Sequence, residues 1–201
     1  MDYPLVIFDM GGVLVDLESD LLVHQVAQLL NRSFDDVQAV IYDEALLLPF
    51  ELGRINATVY YAGLNNRLQL PWSFEQFVRA WNGIFQENTG TTGILQRLRA
   101  RHRLMVLSNT NELHLRHVRS TIPSLSVIEE WVASCDVGLR KPDPNFYFFA
   151  LKQAGVLPRQ AIYVDDRPEM VDAGCAIGLK GIRFHNSRQL DQDLQAVGLN
   201  L

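Results

Sequence analysis

One repeated pattern leaves this chain little choice of fold: a short apolar run that stops abruptly on a polar residue. Leu5-Val6-Ile7-Phe8 stops at Asp9, with Gly11 and Gly12 just beyond. Leu104-Met105-Val106-Leu107 stops at Ser108-Asn109, Trp131-Val132-Ala133-Ser134 near Cys135-Asp136, and Ala161-Ile162-Tyr163-Val164 at Asp165-Asp166. Gly181-Ile182-Arg183-Phe184 is a weaker fifth copy. Runs this short and this apolar fit strands buried on both faces, as in a parallel sheet.

Helical patterns separate the runs. Ile94, Leu95 and Leu98 precede the second. Asp143-Pro144 reads as N-cap and first residue of a helix carrying Phe146, Phe149 and Ala150 and closed by Gly155. A further helix spans Pro168 to Ile177 and ends at Gly178. Strand–helix alternation predicts an α/β fold, a doubly wound, Rossmann-like parallel sheet. Such sheets bind ligands beyond the carboxyl ends of their strands, where the polar residues named above fall.

Residues 17–88 follow another rule. Leu22, Val26, Leu29 and Leu30 recur at helical spacing, and Ser33-x-x-Asp36 resembles a capping box ahead of Val37, Val40 and Ile41. Ser73-x-x-Gln76 is a better capping box, opening a helix with Phe74, Phe77, Val78, Trp81, Ile84 and Phe85. No strand is evident among them. The division expected is therefore an α/β core of residues 1–16 and 89–201, with an all-helical cap, 17–88, inserted after the first strand.

Composition narrows the class of function. The 201 residues carry 23 acidic and 18 basic side chains, a formal net charge of −5, and the basic ones are scattered. Nucleic acid is a poor partner for such a chain. No apolar run approaches the ~20 residues of a membrane span, and Met1–Met10 lacks a basic leader region, so the reading is cytoplasmic. Cys135 and Cys175 show no metal-ligand spacing and read as free, buried thiols. A monomer or weak dimer is expected.

The chemistry-bearing residues are Asp9, Ser108, Lys141 and the Asp165-Asp166 pair. Three carboxylates converging on one crevice repel one another, and oxygen ligands of this kind suit Mg²⁺. A carboxylate can attack phosphorus to give an aspartyl-phosphate. Lys141 would supply a point charge and Ser108 a hydroxyl donor for a phosphate cradle. Read singly, Asp165-Asp166 could instead cap the helix at Pro168, and Lys141 beside Arg140 could be a surface charge. His114 and His117, on what reads as an exposed helix, receive no role. Glu51 and Arg54, a polar knot in Pro49-Phe50-Glu51-Leu52-Gly53-Arg54-Ile55, are candidate cap contacts for a substrate.

Four segments, taken in order, resemble the motifs of the haloacid dehalogenase-like superfamily: Phe8-Asp9-Met10-Gly11-Gly12-Val13-Leu14, Leu107-Ser108-Asn109-Thr110, Gly138-Leu139-Arg140-Lys141-Pro142-Asp143-Pro144, and Tyr163-Val164-Asp165-Asp166-Arg167-Pro168 running on to Gly174. The resemblance implies that Asp9 is nucleophile and metal ligand. It assigns the Gly11 backbone carbonyl and Asp166 as further ligands, with Asp165 holding the metal directly or through water. Ser108 and the backbone at Asn109 would bind phosphoryl oxygens, Lys141 would bridge phosphate and nucleophile, and Asp172 would support the site.

One departure stands out. Most phosphatases of that superfamily carry a second aspartate two residues after the nucleophile, as general acid; here that residue is Gly11. A positioned acid contributes ~10²–10⁴-fold, so its loss favours a leaving group that departs easily. The expected function is a Mg²⁺-dependent phosphatase of a small phosphorylated metabolite, tilted toward a sugar 1-phosphate, as in the glucose 1-phosphate phosphatase-like branch. The alternatives are a 2-haloacid dehalogenase and a catalytically weak phosphometabolite-binding module.

Overall fold

The computed structural model describes residues 3–199. Five strands, β1 (Leu5–Phe8), β4 (Arg103–Ser108), β5 (Glu130–Ala133), β6 (Ala161–Asp165) and β7 (Lys180–Arg183), form one parallel sheet in the order β5-β4-β1-β6-β7. Each apolar run divides between two cores because neighbouring side chains point to opposite faces. Val6, Phe8, Leu104, Val106, Ile162 and Val164 face α6 (Thr89–Leu98), α7 (Glu112–Thr121) and α11 (Ser187–Ala196). Leu5, Ile7, Met105, Leu107, Ala161 and Tyr163 face α9 (Pro144–Ala154) and α10 (Pro168–Ala176). Covering both faces explains why the runs are continuous rather than alternating.

The chain leaves β1 to build β4 and β5 on one side, then crosses to β6 and β7 on the other. The crossing makes the carboxyl end of β1 the point where strand order reverses, and Asp9 stands there. A four-residue helix, α8 (Ser134–Val137), follows β5. The predicted caps of α9 hold: Asp143 accepts from Asn145 N, and Gly155 ends the helix at φ +67°. At α10 the capping residue is Arg167, not either aspartate, although Asp165 Oδ1 accepts from Arg167 N at 2.9 Å.

Residues 19–82 form α1 (Ser19–Leu30), α2 (Phe34–Ile41), α3 (Glu44–Glu51), α4 (Ala57–Leu68) and α5 (Phe74–Asn82). Ser33 caps α2 and Ser73 with Gln76 makes the full capping box of α5. These helices have a core of their own, in which Phe50 stacks on Tyr60 and Trp81 packs on Phe77. The expectation of no strand before residue 88 needs correction. β3 (Phe85–Glu87) pairs antiparallel with β2 (Val15–Leu17), so the two chain crossings into the helical segment are stitched together as a small ladder. Phe85-Gln86-Glu87 carries no apolar alternation, which hid it. No helix among the described residues is long and apolar enough to cross a membrane. The cysteines are free, but Cys135 is half-buried and Cys175 exposed, against the expectation of buried thiols.

Candidate functional site

A cleft of about 260 Å³ opens between the carboxyl ends of β1, β4 and β6 and the helices above them. Asp9, Gly11, Ser108, Asn109, Lys141 and Asp166 all line it, so four segments distant in sequence meet in one place. Asp9 follows β1 directly, its N–H still paired to Val164 O at 2.8 Å. Ser108 is the buried last residue of β4, and Asp165 the buried last residue of β6.

Lys141 is the centre of the arrangement. Only 2% exposed, its ammonium lies 2.9 Å from Asp9 Oδ1 and 2.7 Å from Asp165 Oδ2. A lysine buried this deeply is tolerable only with such partners. The Tyr163 ring lies 5.7 Å from Nζ, and the Tyr163 hydroxyl donates to Asp165 Oδ2. The lysine backbone is clasped as well: Asn109 Nδ2 donates to Lys141 O at 2.9 Å, and Lys141 N donates to Asn109 Oδ1 at 2.8 Å. Asn109, expected to serve through its backbone, thus uses its side chain to join the β4 loop to the lysine loop.

Asp9, Asp165 and Asp166 each present a carboxylate oxygen within 4.8 Å of the others. Burial pushes the Asp9 carboxyl up to about 6, with Asp165 adding to the rise and Lys141 opposing it. Asp166 is raised too, by burial and then by Asp165. Packed carboxylates that resist ionisation mark a place where positive charge is wanted. Asp165 differs from its neighbours, because both its oxygens already accept hydrogen bonds from the protein. Gly12, at φ +75°, lets Asp166 approach: a Cβ there would lie 2.5 Å from Asp166 Oδ2.

Gly11 has a different neighbour. A Cβ at that position would lie 2.7 Å from Leu17 Cδ1, so a side chain there would have to displace the exposed tip of Leu17. Leu17, Ile84, Phe85 and Met170 give the outer cleft apolar walls.

Other expectations shift. Glu51 lines the cleft, whereas Arg54 is exposed and does not. Asp172 is exposed on α10 and also outside the lining. His114 is not on an exposed face: its ring stacks on Trp81 at 4.9 Å, meets Phe85 edge-on and lines the cleft. Its Nε2 sits 3.1 Å from Trp81 O and its Nδ1 3.1 Å from Asn111 Nδ2. The amide must donate, so Nδ1 accepts and Nε2 carries the proton. Desolvation drops its pKa to about 3.

Residues 6–184 match the family model described as haloacid dehalogenase-like hydrolase. The chain is 24% identical over 199 residues to the D-ribitol-5-phosphate phosphatase of Bacteroides thetaiotaomicron, spanning 96% of this chain and 97% of that one. It is 29% identical over 199 residues to a sesquiterpene phosphatase of Aspergillus oryzae, spanning 98% and 97%. A solved HAD family enzyme from Bacteroides thetaiotaomicron, in complex with magnesium and inorganic phosphate, superimposes with a TM-score of 0.82 at 21% identity, over 90% of this chain and 94% of that one.

Proposed function

This chain belongs to the haloacid dehalogenase-like hydrolase family, and from that membership and the cleft we propose that it is a Mg²⁺-dependent phosphatase of a small phosphorylated metabolite. The observation that carries the reading is Lys141, held between Asp9 and Asp165 at 2.9 and 2.7 Å, with Asp166 completing a group of three carboxylates. Such a constellation suits an anionic substrate attacked by an anionic nucleophile. The relatives' names and the magnesium and phosphate bound by the structural neighbour point the same way.

Asp9 is the nucleophile: one carboxylate oxygen attacks phosphorus while the alcohol oxygen departs, leaving an aspartyl-phosphate that water hydrolyses. Lys141 has three N–H donors, two of them directed at carboxylates, and the third serves a phosphoryl oxygen. Ser108 offers its hydroxyl to a second. The donor set fits a hard cation: Asp9, Asp166 and the Gly11 carbonyl would hold it, with Asp165, whose oxygens are engaged, acting through water. A bound Mg²⁺ supplies positive charge that screens the approach of nucleophile to phosphoryl group.

The leaving group is inferred from position 11. With glycine at position 11, that position of the nucleophile loop offers no side-chain proton donor, which favours alcohols that depart readily, above all the anomeric hydroxyl of a sugar 1-phosphate. The paired carboxylates at 165 and 166 argue against attack on carbon as in a haloacid dehalogenase, a reaction that needs no metal. The test is phosphate release from a panel of sugar phosphates, nucleotides and acyl phosphates with Mg²⁺ and with EDTA. Metal-dependent release, highest for a sugar 1-phosphate, is expected. Thermal stabilisation by the panel without release would make the protein a binding module, and halide release from chloroacetate in EDTA would make it a dehalogenase.

A further inference from the structure

Protonation of the departing oxygen is the step that the nucleophile loop leaves without a residue. Glu51, at the end of α3, is the remaining carboxylate lining the cleft. It also lines a second cavity of about 80 Å³ that continues into the helical segment, walled by Leu22, Leu47, Trp81 and Ile84. Thr110, 3% exposed, lines both cavities, and its Oγ1 has no hydrogen-bond partner among the described residues. A buried hydroxyl without a partner, facing a cavity, calls for a polar ligand atom there.

Glu51 is held from the core side. The buried Ser134 Oγ donates to the Glu51 carbonyl oxygen at 2.7 Å and accepts from Thr110 N at 2.9 Å, two residues past Ser108. The Glu51 carboxylate lies 3.4 Å from Arg140, which precedes Lys141. Residue 51 is thereby anchored to both loops that carry the phosphate cradle. Its Oε1 accepts no hydrogen bond among the described residues. Burial raises its pKa, opposed by Arg140 and Arg167. Tyr42 and His114 line the same two cavities, Asp9, Lys141 and Asp166 line the larger one, and Tyr60 of α4 is a further titratable neighbour.

We propose that Glu51 donates the proton to the leaving oxygen, a role that rests on the phosphatase reading above. In the first step Asp9 forms a bond to phosphorus, the bond from phosphorus to the alcohol oxygen breaks, and that oxygen takes the Glu51 proton. In the second, water attacks phosphorus, the Asp9–phosphorus bond breaks, and the water proton returns to Glu51. The Thr110 hydroxyl gives the alcohol a hydrogen bond as it leaves.

The test compares wild type and Glu51→Gln with Mg²⁺ on p-nitrophenyl phosphate, whose leaving group needs no proton, and on an alkyl phosphate that the wild type turns over. The ratio of kcat/KM values, nitrophenyl over alkyl, is expected to rise ~10²-fold or more. An unchanged ratio in a folded variant overturns the role, since a merely structural residue would depress both substrates together. If Glu51→Gln does not fold, the wild-type pH profile decides. Loss of a protonated acid gives kcat an alkaline limb for the alkyl ester that nitrophenyl phosphate lacks, and identical profiles reject the proposal. Wild type silent on every phosphoester would instead remove the phosphatase reading itself.

Discussion

At the sheet end of the cleft, side chains are fixed one by one: Lys141 by two carboxylates, its backbone by Asn109, Asp165 by Tyr163 and Arg167. On the helical side the walls are held mainly by packing, with Trp81 seated among Phe50, Tyr60 and Phe77. The difference separates two tasks. Charge must be placed to a few tenths of an ångström to act on a phosphoryl group. A pocket for the rest of the substrate needs only a shape and one or two polar points.

Four changes test that division, the first with the largest effect. Asp9→Asn should lower kcat by at least about 10⁴-fold, because the proposed covalent intermediate forms on that carboxylate; near-normal phosphate release would break the comparison at its strongest point. Trp81→Ala should cost about 3–5 kcal/mol in denaturant unfolding, as for a large core side chain, and reduce turnover far less than Asp9→Asn. Acid sharpens the contrast through His114. In the unfolded chain this ring protonates near its ordinary 6.5, whereas the folded protein resists until about 3. Across that window the unfolded state binds more protons, so stability falls as pH drops, by up to about 1.4 kcal/mol per unit. His114→Gln should flatten that part of the stability profile, and an unaltered slope would show that the ring is not desolvated. Asn109→Ala should cost about 1–2 kcal/mol from its two lost hydrogen bonds and lower kcat while leaving helical packing intact, measured by paired kinetics and melting.

The sheet end was far more legible in the sequence than the helical side. Five apolar runs predicted five strands; in β1, β4 and β6 burial on both faces writes itself into nearly every residue, whereas β7, with Lys180 and Arg183 exposed, gave the weaker run. The residues at their ends were found for the same reason, since polar groups at the tips of apolar strands are conspicuous. What stayed hidden depends on tertiary neighbours. Nothing about Leu17 marks it as the side chain that meets Gly11, and Tyr163 reads as one more strand residue until its hydroxyl is seen on Asp165. His114 sits among Glu112, Arg116 and His117, a polar run that suggests solvent, yet α5 lies over it. Glu51 and Arg54 are equally conspicuous in sequence, but only Glu51 lines the cleft, and Arg54 is exposed outside it.

Gly53 carries a consequence for how such a protein can change. At φ +65° it sits so close to the Cys135 carbonyl that even a methyl group would lie 2.0 Å from that oxygen. The seam between the helical segment and the sheet therefore has no clearance at this point, and the helices cannot be reseated by small steps here without tearing the seam. Among the walls of the neighbouring cavity, the half-buried Leu47 can be varied at less cost than Leu22 or Ile84, which belong to the buried core of the helical segment.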